Sequence, residues 1–140
     1  MTKQAPLDPL PADPSQWSES SQRSVAAGWT TEYTARRYTC WHCRAEAVFT
    51  AADQRYTYEV KKAPIDQQRI LCEGCWRRLN AIDDELAGYL QAWTASKAEL
   101  RADRSFLERW AALLKERDGY VPYKADVARQ NMIAKLLSGL

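Results

Sequence analysis

The sequence predicts a mainly α protein in which a small metal-stapled module is followed by a helical hairpin or small helical bundle. Two observations predict it. Four cysteines fall in two Cys-x-x-Cys pairs, Cys40/Cys43 and Cys72/Cys75. Beyond the second pair, five leucines and one tryptophan recur every seven residues: Leu79, Leu86, Trp93, Leu100, Leu107 and Leu114. A seven-residue apolar period is a helical seam.

Along the chain, three segments are expected. Residues 1–28 read as a disordered leader. Pro6, Pro9, Pro11 and Pro14 stand close together and are followed by Ser15, Ser18, Ser20, Ser21 and Ser24. Such a composition buries little apolar surface to offset its ordering entropy. Trp17 and Trp29 are its candidate anchors, and docking of the segment as a peptide is the alternative. Residues 29–80 form the metal-binding module, and residues 81–140 the helical region.

Within the module, Thr30, Thr31, Tyr33, Thr34, Tyr38 and Thr39 favour a short irregular strand before the first cysteine pair. Ala45–Phe49 reads as a second short strand. Residues 51–61 carry two signals. Tyr56, Tyr58 and Val60 alternate as in a strand, whereas Thr50 followed by Asp53 has the form of an N-cap with an acidic first turn. Pro64 ends either element.

In the helical region, Ile82, Tyr89 and Trp110 fill companion positions of the heptad, and Ser96 and Asp103 interrupt it. Ser96-x-x-Glu99 and Ser105-x-x-Glu108 both have the capping-box form, so the helix is expected to break between about 94 and 105 and fold back. Gly119 follows Lys115 and Arg117 as a helix terminator. A last helix is expected from Lys124 to Leu137, with Val127, Met132, Ile133, Leu136 and Leu137 as its apolar stripe.

The cysteines carry the chemistry. Zinc prefers four sulfur or nitrogen ligands in a tetrahedron, and a two-residue spacer lets one tight turn present two sulfurs to one ion. Cys40, Cys43, Cys72 and Cys75 are therefore the expected ligands of one structural Zn2+. Disulfides would need an oxidising compartment and would leave the paired spacing unexplained. A thioredoxin-type redox pair would need a βαβ unit, and none is visible. His42, the one histidine, lies inside the first pair. With four sulfurs filling the site it is not expected to be a ligand.

The residues between the pairs extend this reading. Cys40-x-x-Cys43, Val48-Phe49-Thr50-Ala51-Ala52-Asp53-Gln54, Tyr58-Glu59, Pro64-Ile65-Asp66 and Cys72-x-x-Cys75 with Arg77 and Arg78 resemble the small bacterial zinc-ribbon or treble-clef zinc-finger family. The resemblance covers about residues 40–78. It implies a treble-clef-like fold, a metal site and a helix over 51–61, and it assigns no activity. Such knuckles often place Gly after the second cysteine, where positive φ lets amides reach sulfur; Arg44 stands there in this chain. The resemblance also implies a helix beginning near Gly74, with its positive dipole end against the thiolates.

Charge and composition narrow the function. Formal net charge is +2. Residues 1–39 carry four basic and four acidic side chains, residues 40–80 seven and five, and residues 81–140 nine of each. No segment has the field expected of a strong nucleic-acid binder. A closed four-thiolate site leaves no open metal position, and no nucleophile, base and oxyanion set can be assembled around a histidine inside a metal knuckle. The expected function is a non-enzymatic, zinc-stabilised interaction module. Its expected partner is another protein, and the heptad stripe also allows a homodimer. The alternatives are nucleic-acid binding through Arg36, Arg37, Arg44, Lys61, Lys62, Arg77 and Arg78 with Tyr38, Trp41, Tyr56 and Trp76, and a redox-sensitive zinc switch. The first residues hold no apolar signal-peptide core, so a cytoplasmic location without membrane contact is expected.

Overall fold

A computed structural model describes residues 9–123 and 125–140. Its elements are β1 (Leu10–Pro11), a 3-10 turn (Pro14–Gln16), α1 (Glu19–Gln22), α2 (Ala26–Trp29), β2 (Glu32–Tyr33), β3 (Arg36–Thr39), β4 (Glu46–Phe49), α3 (Ala51–Arg55), α4 (Glu73–Leu100), α5 (Arg104–Asp118) and α6 (Val127–Ser138). The chain divides into two compact units. One holds the residues up to Thr39 together with Ala45–Ile70; the other holds Cys40–Arg44 and Leu71–Leu140.

The first unit contains two antiparallel strand pairs. β1 pairs with β2 through Leu10↔Tyr33, and β3 pairs with β4 from Arg36↔Phe49 to Thr39↔Glu46. Its core is Trp17, Tyr33, Phe49, Ala51 and Tyr58. The indole N–H of Trp17 donates to the Tyr33 hydroxyl at 2.8 Å, and that hydroxyl donates to Glu59 Oε2 at 2.7 Å. Burial, reinforced by the Glu59 carboxylate, pushes the Tyr33 phenol well above its ordinary range.

The structure corrects the expectation of a disordered leader wherever residues 1–28 are described; residues 1–8 lie outside the described residues. Trp17 is 2% exposed and sits in the core of the unit. The prolines and serines around it serve as turn chemistry. Asp13 accepts from the Ser15 amide to cap the 3-10 turn, Ser18 accepts from the Ser21 amide to cap α1, and the buried Ser21 hydroxyl accepts from the Ile65 amide at 3.0 Å. Trp29 behaves otherwise and is among the most exposed aromatics. The expected strand before Cys40 is two short strands, β2 and β3.

Residues 51–61 resolve as helix. Thr50 accepts from the Asp53 amide at 3.0 Å, and α3 runs on into a wider π-helical turn over Tyr56–Val60. The turn is closed by Lys61, and Lys62 after it has a left-handed φ of 60°. Tyr56, Tyr58 and Val60 alternate in burial within this turn, with Tyr58 inside and its two neighbours exposed. The strand-like alternation of apolar residues thus marks neither an extended segment nor a common buried face, since Tyr58 alone of the three is inside.

The second unit is helical. α4 packs on α5 and α5 on α6 around Trp93, Leu107, Trp110, Leu114 and Ile133, with Leu86 and Leu100 against them. The heptad residues from Leu86 to Leu114 thus close a core within one chain. Aromatic rings interlock there, Tyr89 on Phe106 at 4.9 Å and Trp93 on Trp110 at 5.4 Å between centroids. The fold-back falls at Arg101–Asp103, inside the expected window, yet neither serine caps it. Ser96 (φ −137°, ψ 39°) kinks α4 instead, two residues after the Thr94 hydroxyl bonds back to the Leu90 carbonyl at 2.9 Å. Asp103 is the N-cap of α5 and accepts from the Phe106 amide at 3.1 Å. Asp103→Ala is expected to lower stability by about 1 kcal/mol in urea unfolding, while Ser105→Ala changes it little. α6 starts at Val127 behind the Asp126 cap, and the expected start at Lys124 lies outside the described residues. Among the described residues no helix is long and apolar enough to cross a membrane.

Candidate metal centre

All four cysteines lie in the second unit. Cys40 and Cys43 occupy the turn that joins β3 to β4, where the Arg44 amide donates to the Cys40 carbonyl at 3.0 Å. Arg44 has φ 63°, the left-handed conformation that glycine serves in related knuckles. Its guanidinium lies 4.8 Å from the centroid of the Trp41 ring. A cation–π contact of about 0.5–1 kcal/mol offsets much of the steric cost of a side chain there. Cys72 is the N-cap residue of α4, and Cys75 sits in its first turn, next to Gly74 as the resemblance implies.

The Sγ atoms of Cys40, Cys43, Cys72 and Cys75 all lie within 4.8 Å of one another. Cys43 and Cys72 sulfurs are 3.7 Å apart. Metal–sulfur bonds of the zinc length, arranged tetrahedrally, put sulfurs about 3.8 Å apart. All four cysteines are free thiols. The donor set therefore fits one tetrahedral soft-metal ion.

The electrostatics of the four sulfurs agree with this. Burial alone would raise the Cys40 thiol, but the backbone amides of Cys72, Cys43 and His42 point at its sulfur and bring it down to about 6. Cys75 moves the other way, pushed up to about 12 by burial, by hydrogen bonds with the Cys72, Cys40 and Cys43 sulfurs, and by the Cys40 charge. The cradle is thus built to hold negative sulfur, and the second and later thiolates need a cation among them. The positive end of α4 adds to that preference.

His42 is not part of the cluster. Its Nδ1 lies 2.9 Å from the Gly119 carbonyl, and its ring stacks on Tyr120 at 3.8 Å with planes 8° apart. A carbonyl only accepts, so Nδ1 carries the proton. The knuckle is in this way tied to the end of α5. A second tie joins α4 to α5: Arg78 donates twice to Glu116, at 2.9 and 2.8 Å, and holds that carboxyl below its usual range. Arg117 bonds Asp83 at 2.6 Å alongside. His42→Ala is expected to leave metal stoichiometry unchanged and to lower stability by about 1–2 kcal/mol, through the lost hydrogen bond and stack. Metal analysis with thermal unfolding checks both; a loss of metal would make His42 a ligand after all.

Sequence reasoning found the four sulfurs and missed Tyr120. The available signal was an aromatic directly after a helix-ending glycine, where a ring can fold over the terminus. Of the basic residues expected to form a surface, Arg77 pairs with Glu73 and Arg78 with Glu116, while Arg44 covers Trp41.

Residues 36–83 match the family model described as "Probable treble clef domain". The match spans about a third of the chain and takes in both cysteine pairs, the hairpin and the start of α4. The class defined by fold and site is a mainly α protein carrying a treble clef domain with a four-cysteine metal cluster. No curated protein and no solved structure gives a significant match.

Proposed function

We propose that this chain is a non-enzymatic interaction module, stapled by one zinc ion on Cys40, Cys43, Cys72 and Cys75, that docks another protein. One observation carries the reading: exposed tryptophans directly follow a cysteine of the cluster in each pair. Trp41 is 38% exposed and Trp76 45%. A zinc ion on the neighbouring thiolates fixes the backbone that presents them. Tryptophan on a rigid backbone is the residue type most enriched in binding hot spots.

The rest of the reading follows from the donor set. Four thiolates complete a tetrahedron, so no coordination position remains for a substrate or an activated water. Thiolates kept as ligands favour a reducing compartment, which agrees with a cytoplasmic location. Consumption of the heptad residues in an internal core favours a monomer over a coiled-coil dimer. Nucleic-acid binding by the finger is the weaker reading, because Arg44, Arg77 and Arg78 are engaged within the unit and net charge is only +2. The redox switch is the third reading: Cys43 is exposed enough to meet an oxidant, whereas Cys40 is buried.

The test is quantitative affinity capture from the native host with the intact chain and with a Trp41→Ala/Trp76→Ala variant. The variant is expected to keep one zinc per chain and its thermal stability, and to recover its protein partner at least about tenfold less efficiently. Equal recovery by the two chains sinks the proposal, as does salt-dependent binding of oligonucleotides in place of protein capture.

A further inference from the structure

The four sulfurs of the metal cluster are not equivalent. Cys40 is fully buried, Cys72 and Cys75 are half-buried, and Cys43 is exposed. Their footings differ too. The backbone amides of Cys72, Cys43 and His42 point at the Cys40 sulfur and hold it in place. Cys75 lies in the first turn of α4, where the helix fixes its backbone. Cys72 is the N-cap residue, with an extended backbone (φ −67°, ψ 167°) and a sulfur that caps no amide of the helix. Cys43 sits in the knuckle turn, and its sulfur lies 3.7 Å from that of Cys72.

These differences rank the sulfurs by what an oxidant arriving from solvent meets. A ligand sulfur is a thiolate, which is also the nucleophilic form of cysteine. Cysteines that sense oxidants are solvent-accessible and stand beside a second cysteine that resolves the first product. Cys43 meets the first condition, and Cys72 supplies the second. Distance alone does not select Cys72, because all four Sγ atoms lie within 4.8 Å of one another. Attachment does. Cys40 would have to leave three amides to reach Cys43, and Cys75 would have to strain a helical turn. Cys72 has only to turn its side chain at the end of the helix.

We infer that Cys43 and Cys72 form a peroxide-sensitive pair whose joining as a disulfide discharges the metal site. The Cys43 thiolate attacks hydrogen peroxide; an S–O bond forms, the O–O bond breaks and hydroxide leaves, which gives a sulfenic acid. The Cys72 thiolate then attacks the Cys43 sulfur; an S–S bond forms, the S–O bond breaks and a second hydroxide leaves. The two thiolates together give up two electrons, and one peroxide, with two protons from solvent, becomes two waters. Cys40 and Cys75 remain, two ligands where a tetrahedron needs four, so the chain lets the ion go. A small-molecule or protein dithiol reverses the reaction by exchange through a mixed disulfide and returns both thiolates. The new bond ties the knuckle to the start of α4, which keeps the ligand segments together for reloading. The inference rests on the zinc reading of the cluster, and it makes the redox chemistry a regulation of the docking finger in place of a function of its own.

The experiment is stepwise addition of hydrogen peroxide to the intact, zinc-loaded chain. Zinc per chain is measured before the first addition. A chain that holds none at that point fails the metal reading, whereas a zinc-loaded chain indifferent to peroxide fails the present inference alone. Released zinc is followed with a chromogenic chelator, and disulfides are mapped by mass spectrometry of peptides prepared in acid. A parallel run traps sulfenic acid with a cyclic 1,3-dione. The expected results are about one zinc released per peroxide consumed, the dione on Cys43, and a Cys43–Cys72 disulfide as the first product. Dithiothreitol with added zinc should restore the starting metal content. Without peroxide, iodoacetamide should modify Cys43 at least about tenfold faster than Cys40. Zinc retained under excess peroxide, a first adduct on another cysteine, a first disulfide other than Cys43–Cys72, or irreversible oxidation to sulfinic acid overturns the inference.

Discussion

Cys40→Ser, or extraction of the metal by a strong chelator, is expected to unfold the finger and to produce the largest loss of stability of any single change in this chain. Structural zinc on four thiolates contributes about 10–16 kcal/mol in apparent binding free energy, and a site that exists only in the folded chain returns that energy as folding. Cys40 is the ligand whose loss matters most. Its sulfur is fully buried and is the one toward which the amides of Cys72, Cys43 and His42 converge. A serine hydroxyl would occupy the same amides without the thiolate charge, and three remaining thiolates would crowd a shell missing its fourth donor. The loss should be local at first. Residues Cys40–Arg44 and the first turns of α4 depend on the metal, whereas Trp93, Leu107, Trp110, Leu114 and Ile133 pack with no cysteine among them. Expected results are therefore one zinc lost per chain, release of the His42–Tyr120 stack seen as a near-ultraviolet change at Tyr120, and partial retention of helical circular dichroism. A serine variant that keeps both its metal and its melting temperature would remove zinc from the account of this fold.

The metal centre was legible in the sequence because its signal is local and chemical. Two residues between cysteines, twice, admit few physical uses. Arg44 shows the limit of such reading. Its position predicted positive φ, and the chain adopts it at 63° with an arginine braced on Trp41, a compensation visible only once the ring has a place. The helix break was legible for a similar reason, as two polar residues in an apolar seam. Which of them would cap was not. Ser96, Asp103 and Ser105 have comparable cap chemistry, and the choice of Asp103 depends on where the packing of Trp93 on Trp110 lets α5 begin. The residues before Trp29 mislead because composition averages over a segment. One tryptophan with two short capped turns outweighs many polar neighbours when a complementary tyrosine waits further along the chain.

Trp17→Ala is the second large effect, and it separates the two readings of the N-terminal residues most sharply. A disordered leader would lose nothing measurable. The structure instead puts Trp17 against Tyr33, Phe49, Ala51 and Tyr58 and gives its indole N–H to Tyr33 at 2.8 Å. Truncation of a buried tryptophan to alanine costs about 3–5 kcal/mol through lost burial and the cavity left behind. The hydrogen bond adds to that cost, because the Tyr33 hydroxyl donates to Glu59 and receives from Trp17, and removal of the indole leaves a buried oxygen short of one donor. Trp17→Phe keeps much of the apolar volume and removes the N–H, so it should cost distinctly less than Trp17→Ala, about 1–3 kcal/mol. Trp29→Ala provides the contrast, since that ring is 79% exposed and its loss should stay within about 0.5 kcal/mol. Urea unfolding followed by circular dichroism measures all three. The expected order of stability puts Trp17→Ala far below Trp17→Phe, with Trp29→Ala near the parent. Because Trp17 and the cysteines lie in different units, the Trp17→Ala chain should still bind one zinc. Loss of zinc together with loss of stability would instead mean that the leader residues and the metal fold as one cooperative body.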